Sequence, residues 1–235
     1  MRVPHGMTTL VHLAPIWLLP ALLQRSDCQG LRVLAISSCS LHAKADSPSL
    51  AERALAQRLS EAETALWALA QRDGHQLTLL RPTMLYGAGR DATVAPLQRC
   101  IRRWRVLPFP ALDYGLRQPV HVEDVAAAIL ACLDNPRSIG KAYDLGGAER
   151  LRLDTLARRL FSDNGLRPRL LPVPRQAVAL AISLLRRWRG SHWDSALLQR
   201  ALRDQVADNR AASTDFGYAP RSFDGRFPPV IQAGH

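Results

Sequence analysis

The segment Gln76–Gly89, Gln-Leu-Thr-Leu-Leu-Arg-Pro-Thr-Met-Leu-Tyr-Gly-Ala-Gly, constrains the fold more than any other part of the chain. Leu77 to Leu80 read as a short buried strand. Arg81-Pro82 stop it, because proline lacks a ladder donor and restricts the residue before it. The chain then leaves through a loop holding Gly87 and Gly89. In open α/β sheets ligands sit against loops that leave the carboxyl ends of strands, so this loop is the first candidate for a site.

The flanking sequence supplies layers for such a strand. Thr8–Ala14 reads as a second buried parallel strand, Pro15–Gln24 as the start of a connecting helix, and Leu31–Ser37 as a third strand. Ser47-Pro48 predict the start of a long helix, serine as N-cap and proline in the first turn, and Asp73-Gly74 predict its end. Leu55, Leu59, Ala62, Leu66 and Leu69 recur three and four residues apart, one apolar stripe that faces the sheet. Downstream, Ala92–Trp104 predicts a helix, Val106–Pro110 a proline-bounded extended piece, and Gly115–His121 a strand or loop. Glu123 and Asp124 open a further helix, where negative charge suits the N-terminal dipole. Lys141–Gly147 is a last strand, Leu153–Phe161 an amphipathic helix, and Gly165–Pro174 a proline-rich connector.

Of 235 residues, 47% are hydrophobic and 22% charged, ordinary for a soluble globular chain. The net charge of +11 points first to nucleic acid or an anionic surface. Lys44 and Lys141 are the only lysines, however, and the arginines are spread along an alanine- and leucine-rich chain without interleaved stacking aromatics, so no nucleic-acid partner is expected. Cys28, Cys39, Cys100 and Cys132 lie far apart with no C-x-x-C pair, which argues against a metal site or a disulfide framework and fits a reducing compartment. The apolar run Leu10–Leu23 is broken by His12, Pro15 and Pro20 and is followed by no small-x-small cleavage site, so it is not read as a signal peptide. No stretch reaches transmembrane length, and the expected location is cytoplasmic. Ala177–Leu185 runs apolar into Arg186-Arg187-Trp188-Arg189. It is read as a helix packed on its own domain, with a membrane-surface segment as the alternative and membrane association not expected overall.

Arg81-Pro82-Thr83-Met84-Leu85-Tyr86-Gly87 resembles the "LRP…YG" segment of the extended short-chain dehydrogenases/reductases, the NAD-dependent epimerase/dehydratase family. Arg117-Gln118-Pro119-Val120-His121-Val122-Glu123-Asp124-Val125-Ala126 is similar to that family's "R…VHV.DVA" segment, in the same order. Lys141–Gly147 resembles "YDLGG", and Asp215–Arg221 the closing "Gy.PR". The resemblance implies an α/β fold: an incomplete Rossmann-like, doubly wound parallel sheet over residues 1–150 with interleaved substrate loops, and a small, mainly helical substrate-side region over 151–235. It implies NAD or NADP as cofactor, a small sugar-like substrate that is anionic or nucleotide-linked, and a homodimer. The strand at Thr8–Ala14 matches the family's fourth, which implies that the first βαβ unit, with its glycine-rich turn for the cofactor pyrophosphate, is absent from this sequence. Binding of the dinucleotide by this chain alone is therefore not expected.

The same register implies the site residues. Ser38 matches the catalytic serine or threonine that hydrogen-bonds the reacting oxygen, with simple capping of the turn as the alternative. Ala14, Ser37, Pro82 and Thr83 match positions lining the cofactor. Arg117 matches an arginine that contacts sugar-nucleotide phosphates, with an ion pair to a carboxylate such as Asp113 as the alternative. Tyr86 and Arg99 complete the substrate set. Arg99, Arg102, Arg103 and Arg105 either clamp an anion or form a solvated helix face. His121 is read as a packed histidine and Asp124 as structural, and no metal ligands are assigned. Aligning Ala62-Glu63 with the family's "AE" pair puts Leu55 where the catalytic tyrosine belongs and Leu59 where its lysine belongs. No tyrosine in the chain has lysine four residues on. The implied activity is that of an NAD(P)-dependent epimerase/dehydratase or reductase; the alternative is a non-catalytic cofactor sensor or complex subunit.

Overall fold

The computed structural model describes residues 6–24, 29–89, 91–110, 113–174, 176–177 and 201–227. The apolar run from Ala177 towards Trp188, and with it the membrane-surface alternative, lies almost wholly outside them. The chain forms two compact, interleaved units: residues 1–83, 123–146 and 207–220 in the first, and 84–122, 147–206 and 221–235 in the second. The sequence-based boundary at residue 150 falls inside the middle segment of the second unit.

The first unit is a four-stranded parallel Rossmann-like sheet. Strands β1 (Thr9–His12), β2 (Arg32–Ile36), β3 (Gln76–Pro82) and β8 (Lys141–Leu145) run in the order β1-β2-β3-β8. Register places Leu10 beside Val33, Val33 beside Leu77 and Leu79 beside Ala142. A 3-10 turn at Ile16–Leu18 leads into helix α1 (Leu19–Gln24), and α2 (Ser40–Ala43) and α3 (Leu50–Asp73) connect β2 to β3. The α3 stripe is buried as its spacing requires. Leu59, Ala62, Leu66 and Leu69 pack with Leu19, Leu31, Val33, Leu77 and Leu79 in one core.

Helix α3 starts two residues later than Ser47-Pro48 predicted. Ser49 is the N-cap position and makes no side-chain cap. The Ser47 hydroxyl instead accepts the Ser49 N–H at 3.2 Å and donates to Glu52 at 2.6 Å, closing a local turn before the helix begins. The C-terminus ends as expected, on Gly74 in the left-handed region with φ +69°. Helices α5 (Val122–Leu133) and α7 (Arg210–Phe216) complete this unit.

The second unit is built from short pieces: β4 (Leu85–Tyr86) pairs with β7 (Val120–His121), β6 (Leu116–Arg117) with β9 (Leu151–Arg152), and β5 (Leu107–Pro110) with β10 (Leu170–Val173). The proline-rich connector thus contains a strand, parallel to β5, that the sequence did not reveal. Helices α4 (Val94–Trp104) and α6 (Leu153–Ser162) bury Val94, Ile101, Leu156, Leu160 and Phe161 with Tyr86, Phe109 and Tyr114 in a separate core. Asp91 opens α4 by accepting the N–H groups of Thr93, Val94 and Ala95.

Candidate functional site

In a parallel sheet every strand ends at the same edge, so sequence positions far apart arrive together there. In the first unit that edge gathers Ala14 after β1, Ser37 and Ser38 after β2, Pro82 and Thr83 at β3, and Gly146 after β8. Backbone bonds stitch it: Ser37 N–H to Leu80 O at 2.8 Å, Cys39 N–H to Pro82 O at 3.2 Å, and Thr83 N–H to Leu145 O at 2.9 Å. Five positions inferred from the family register, Ala14, Ser37, Ser38, Pro82 and Thr83, therefore share one edge. Ala14 is exposed, Ser38 and Thr83 are half-buried, and Ser37 and Pro82 are buried.

Beneath this edge lies a buried polar network. Ser37 donates to Glu63 at 2.5 Å. Arg81 grips the same carboxylate, its Nε reaching both oxygens at 3.0 and 3.1 Å and its Nη2 a third contact. Its Nη1 points to Asp144 at 3.5 Å. Such a forked, charge-assisted pairing orients both side chains. Ser37 is thereby committed to the support of the edge. The signal in the sequence for Glu63 is a carboxylate inside the apolar stripe of α3, which needs a cationic partner when buried. Cys39, whose thiol donates to Arg81 O at 2.9 Å, is pushed up to about 12 by burial first and by Asp144 second, so it stays a thiol.

Ser38 Oγ accepts the Ser40 N–H at 3.1 Å, which caps the turn between β2 and α2 and leaves the hydroxyl proton to donate elsewhere. Capping and a contact to a reacting oxygen are thus compatible in one side chain. Leu55 and Leu59, at the positions of the expected dyad, belong to the core: Leu59 is 5% exposed and Leu55 packs beside it, so neither presents proton-transfer chemistry. After β8, Asn209 holds the Gly146 backbone by both groups, accepting its N–H at 2.8 Å and donating to its carbonyl at 3.0 Å, and Tyr218 donates to the same carbonyl at 2.9 Å. Tyr218 is the tyrosine of the "Gy.PR" segment, whose likeness gave it no role, and no motif announced Asn209.

In the second unit, Arg117 is 5% exposed and its Nη1 donates to the carbonyls of Arg203 at 2.6 Å and Leu116 at 2.8 Å. Asp113, its alternative partner, is engaged by Arg152 at 2.8 Å. Tyr86 is 3% exposed; its ring meets His121 edge-on and Phe223 at a tilt, and its hydroxyl accepts the Asp224 N–H at 3.1 Å. Gly87 is required beside it, because a Cβ there would lie 2.6 Å from the His121 ring. Arg99 is exposed on α4. Among the described residues no three His, Cys, Asp or Glu side chains are grouped to hold a metal, and no helix is long and apolar enough to cross a membrane.

Comparison with known proteins fits this geometry. Residues 17–146 match the model of the NAD dependent epimerase/dehydratase family. The chain is 31% identical over 99 residues to UDP-glucose 4-epimerase of Vibrio cholerae, covering 40% of this chain and 30% of that protein. It is 33% identical over 138 residues to the mitochondrial NADH dehydrogenase [ubiquinone] 1 alpha subcomplex subunit 9 of Arabidopsis thaliana, covering 58% and 32%. The chain thus matches about a third of the length of either relative. Among solved structures, UDP-glucuronic acid 4-epimerase from Bacillus cereus in complex with NAD superposes with a TM-score of 0.67 at 14% identity, over 94% of this chain and 71% of that one.

Proposed function

The chain belongs to the NAD dependent epimerase/dehydratase family, and from that premise we propose that it serves an NAD(P)-linked epimerase, dehydratase or reductase acting on a nucleotide-linked sugar. The observation that carries this reading is the carboxyl edge of the parallel sheet, where Ala14, Ser38 and Thr83 stand together over the Glu63–Arg81 support. In this reading Ser38 donates to the substrate's reacting oxygen, Ala14, Ser37, Pro82 and Thr83 border the cofactor, and Arg117, Tyr86 and Arg99 belong to the substrate side.

The residues present do not fit a complete dinucleotide. The 235 residues contain no G-x-x-G-x-x-G turn and no Tyr-x-x-x-Lys pair, and Ser37 is spent on Glu63. No proton-transfer step is therefore assigned to this chain. The second reading, a non-catalytic cofactor sensor or complex subunit, is favoured by the burial of Leu59 where a lysine would be needed.

Titration calorimetry of the 235-residue chain with NAD, NADP and UDP-glucose separates the readings. We expect no low-micromolar dinucleotide binding and measurable UDP-sugar binding that Ser38→Ala or Arg99→Ala weakens about three- to tenfold, the loss of one hydrogen bond. Tight NAD binding by this chain would sink the cofactor part of the proposal. UDP-sugar binding untouched by either substitution would sink the site, and no UDP-sugar binding would leave the sensor or subunit reading.

A further inference from the structure

The second unit carries more positive charge than its described carboxylates neutralise, and part of the excess is gathered at one place. Each of its described carboxylates is already engaged. Asp113 and Asp154 meet Arg152, Glu149 and Asp163 meet Arg159, Asp224 meets Arg226, Asp91 caps α4, and Asp204 accepts the Leu116 N–H. Arg99, Arg102, Arg103, Arg105, Arg158, Arg167 and Arg169 are exposed and have no carboxylate partner among the described residues. Three of them, Arg103, Arg105 and Arg169, meet at the end of α4, because the Leu107 N–H, two residues beyond Arg105, bonds the Arg169 carbonyl at 2.9 Å. Trp104 stands there 64% exposed, and Leu171, 49% exposed, lies in register with the exposed Pro108 on the adjoining β5–β10 ribbon.

Complementing the helix dipole accounts for basic residues in the last turn of α4. It does not account for Arg105. That residue occupies the left-handed C-cap, φ +58°, a position where glycine carries no steric penalty and a Cβ does. The chain accepts backbone strain to keep a guanidinium at the end of the patch.

We propose that this face, Arg103, Trp104, Arg105, Arg169 and Leu171, docks the protein peripherally on an anionic lipid surface. The arginines pair with lipid phosphates and carboxylates, while the indole and the leucine enter the boundary between headgroups and acyl chains. Single-stranded nucleic acid fits less well, since it asks for a row of exposed aromatics and Trp104 is the only one on this unit among the described residues. This departs from the sequence expectation that membranes are not involved, and it is independent of the enzymatic reading.

Co-sedimentation of the 235-residue chain with vesicles tests it. Binding is expected to phosphatidylcholine mixed with phosphatidylserine, not to phosphatidylcholine alone, and to fall with added salt. The triple variant Arg103→Ala/Arg105→Ala/Arg169→Ala weakens it by about a hundredfold. Removing the same charge from the first unit, with Arg72→Ala/Arg137→Ala/Arg210→Ala, changes it less than about threefold. Arg105→Gly separates binding from structure: it raises the melting temperature while weakening vesicle binding about fivefold. Equal binding to both vesicle types, equal losses in the two triple variants, or full competition by duplex DNA at stoichiometric concentration would overturn the proposal.

Discussion

His75 shows how one residue ties stability to pH. It is buried directly before β3, and its Nδ1 accepts the Leu31 N–H at 3.2 Å. That bond requires the neutral ring with its proton on Nε2, and Nε2 itself has no hydrogen-bond partner. Burial pushes the imidazole below its ordinary value; Asp73 opposes it, and Arg72 adds a smaller push in the same direction as burial. The unfolded chain takes up a proton as the pH falls through about 6.5, whereas the folded chain does so only at lower pH. The stabilisation is therefore whole above that value and is lost progressively below it, because the unfolded state binds the extra proton first. His75→Asn keeps an acceptor for Leu31 and cannot titrate. The expected outcome is a melting temperature that drops on acidification from about pH 7.5 to about 5.5 in the parent and drops less in the variant. Parallel pH profiles would show that His75 contributes nothing to the slope. Nothing in the sequence singles out this residue, because a histidine after a helix-ending glycine looks the same whether buried or exposed.

The elements were legible where a period runs long enough to show itself. Helix α3, 24 residues with an apolar stripe, and the strands of the parallel sheet were readable because burial on one stripe or on both faces leaves a mark in hydrophobicity. Strand β10 was not, since Leu-Leu-Pro-Val has no alternation and its proline suggests a loop. The same packing logic decides whether a catalytic pair can be put back into α3. Leu59 lies in the core, and the carboxylate one turn on along the same face, Glu63, is already held by Arg81 and Ser37. A lysine at position 59 removes a buried leucine, which alone costs about 2–5 kcal/mol, and adds an ammonium without a free partner. The Leu55→Tyr/Leu59→Lys variant is expected to lose at least about 3 kcal/mol in urea unfolding and to gain no turnover of UDP-sugars. A variant as stable as the parent would mean that this face of α3 retains room for the family's chemistry.

At the scale of the whole chain, two forces act on self-association with opposite signs. The formal charge of +11 keeps copies apart through a field that salt screens, whereas backbone pairing at a sheet edge is insensitive to salt. Among the described residues β1 pairs only with β2. The Arg32 N–H bonds the Thr8 carbonyl at 2.8 Å, and groups on a strand alternate between its two sides, so Thr9 and Val11 turn their backbone donors and acceptors outward. An edge of this kind is a template for another strand unless charge or proline blocks it. Light scattering of the 235-residue chain is therefore expected to show association that grows with added salt, the reverse of the salt response predicted for lipid binding. Thr9→Pro removes an outward N–H without touching the β1–β2 ladder, and it should suppress the association while the melting temperature stays within a few degrees. If salt disperses the assemblies instead, charge pairing holds them and the β1 edge is not their seam. If Thr9→Pro associates as the parent does, the contact lies on another surface, and the exposed Leu13 and Leu18 beside β1 are the next residues to change.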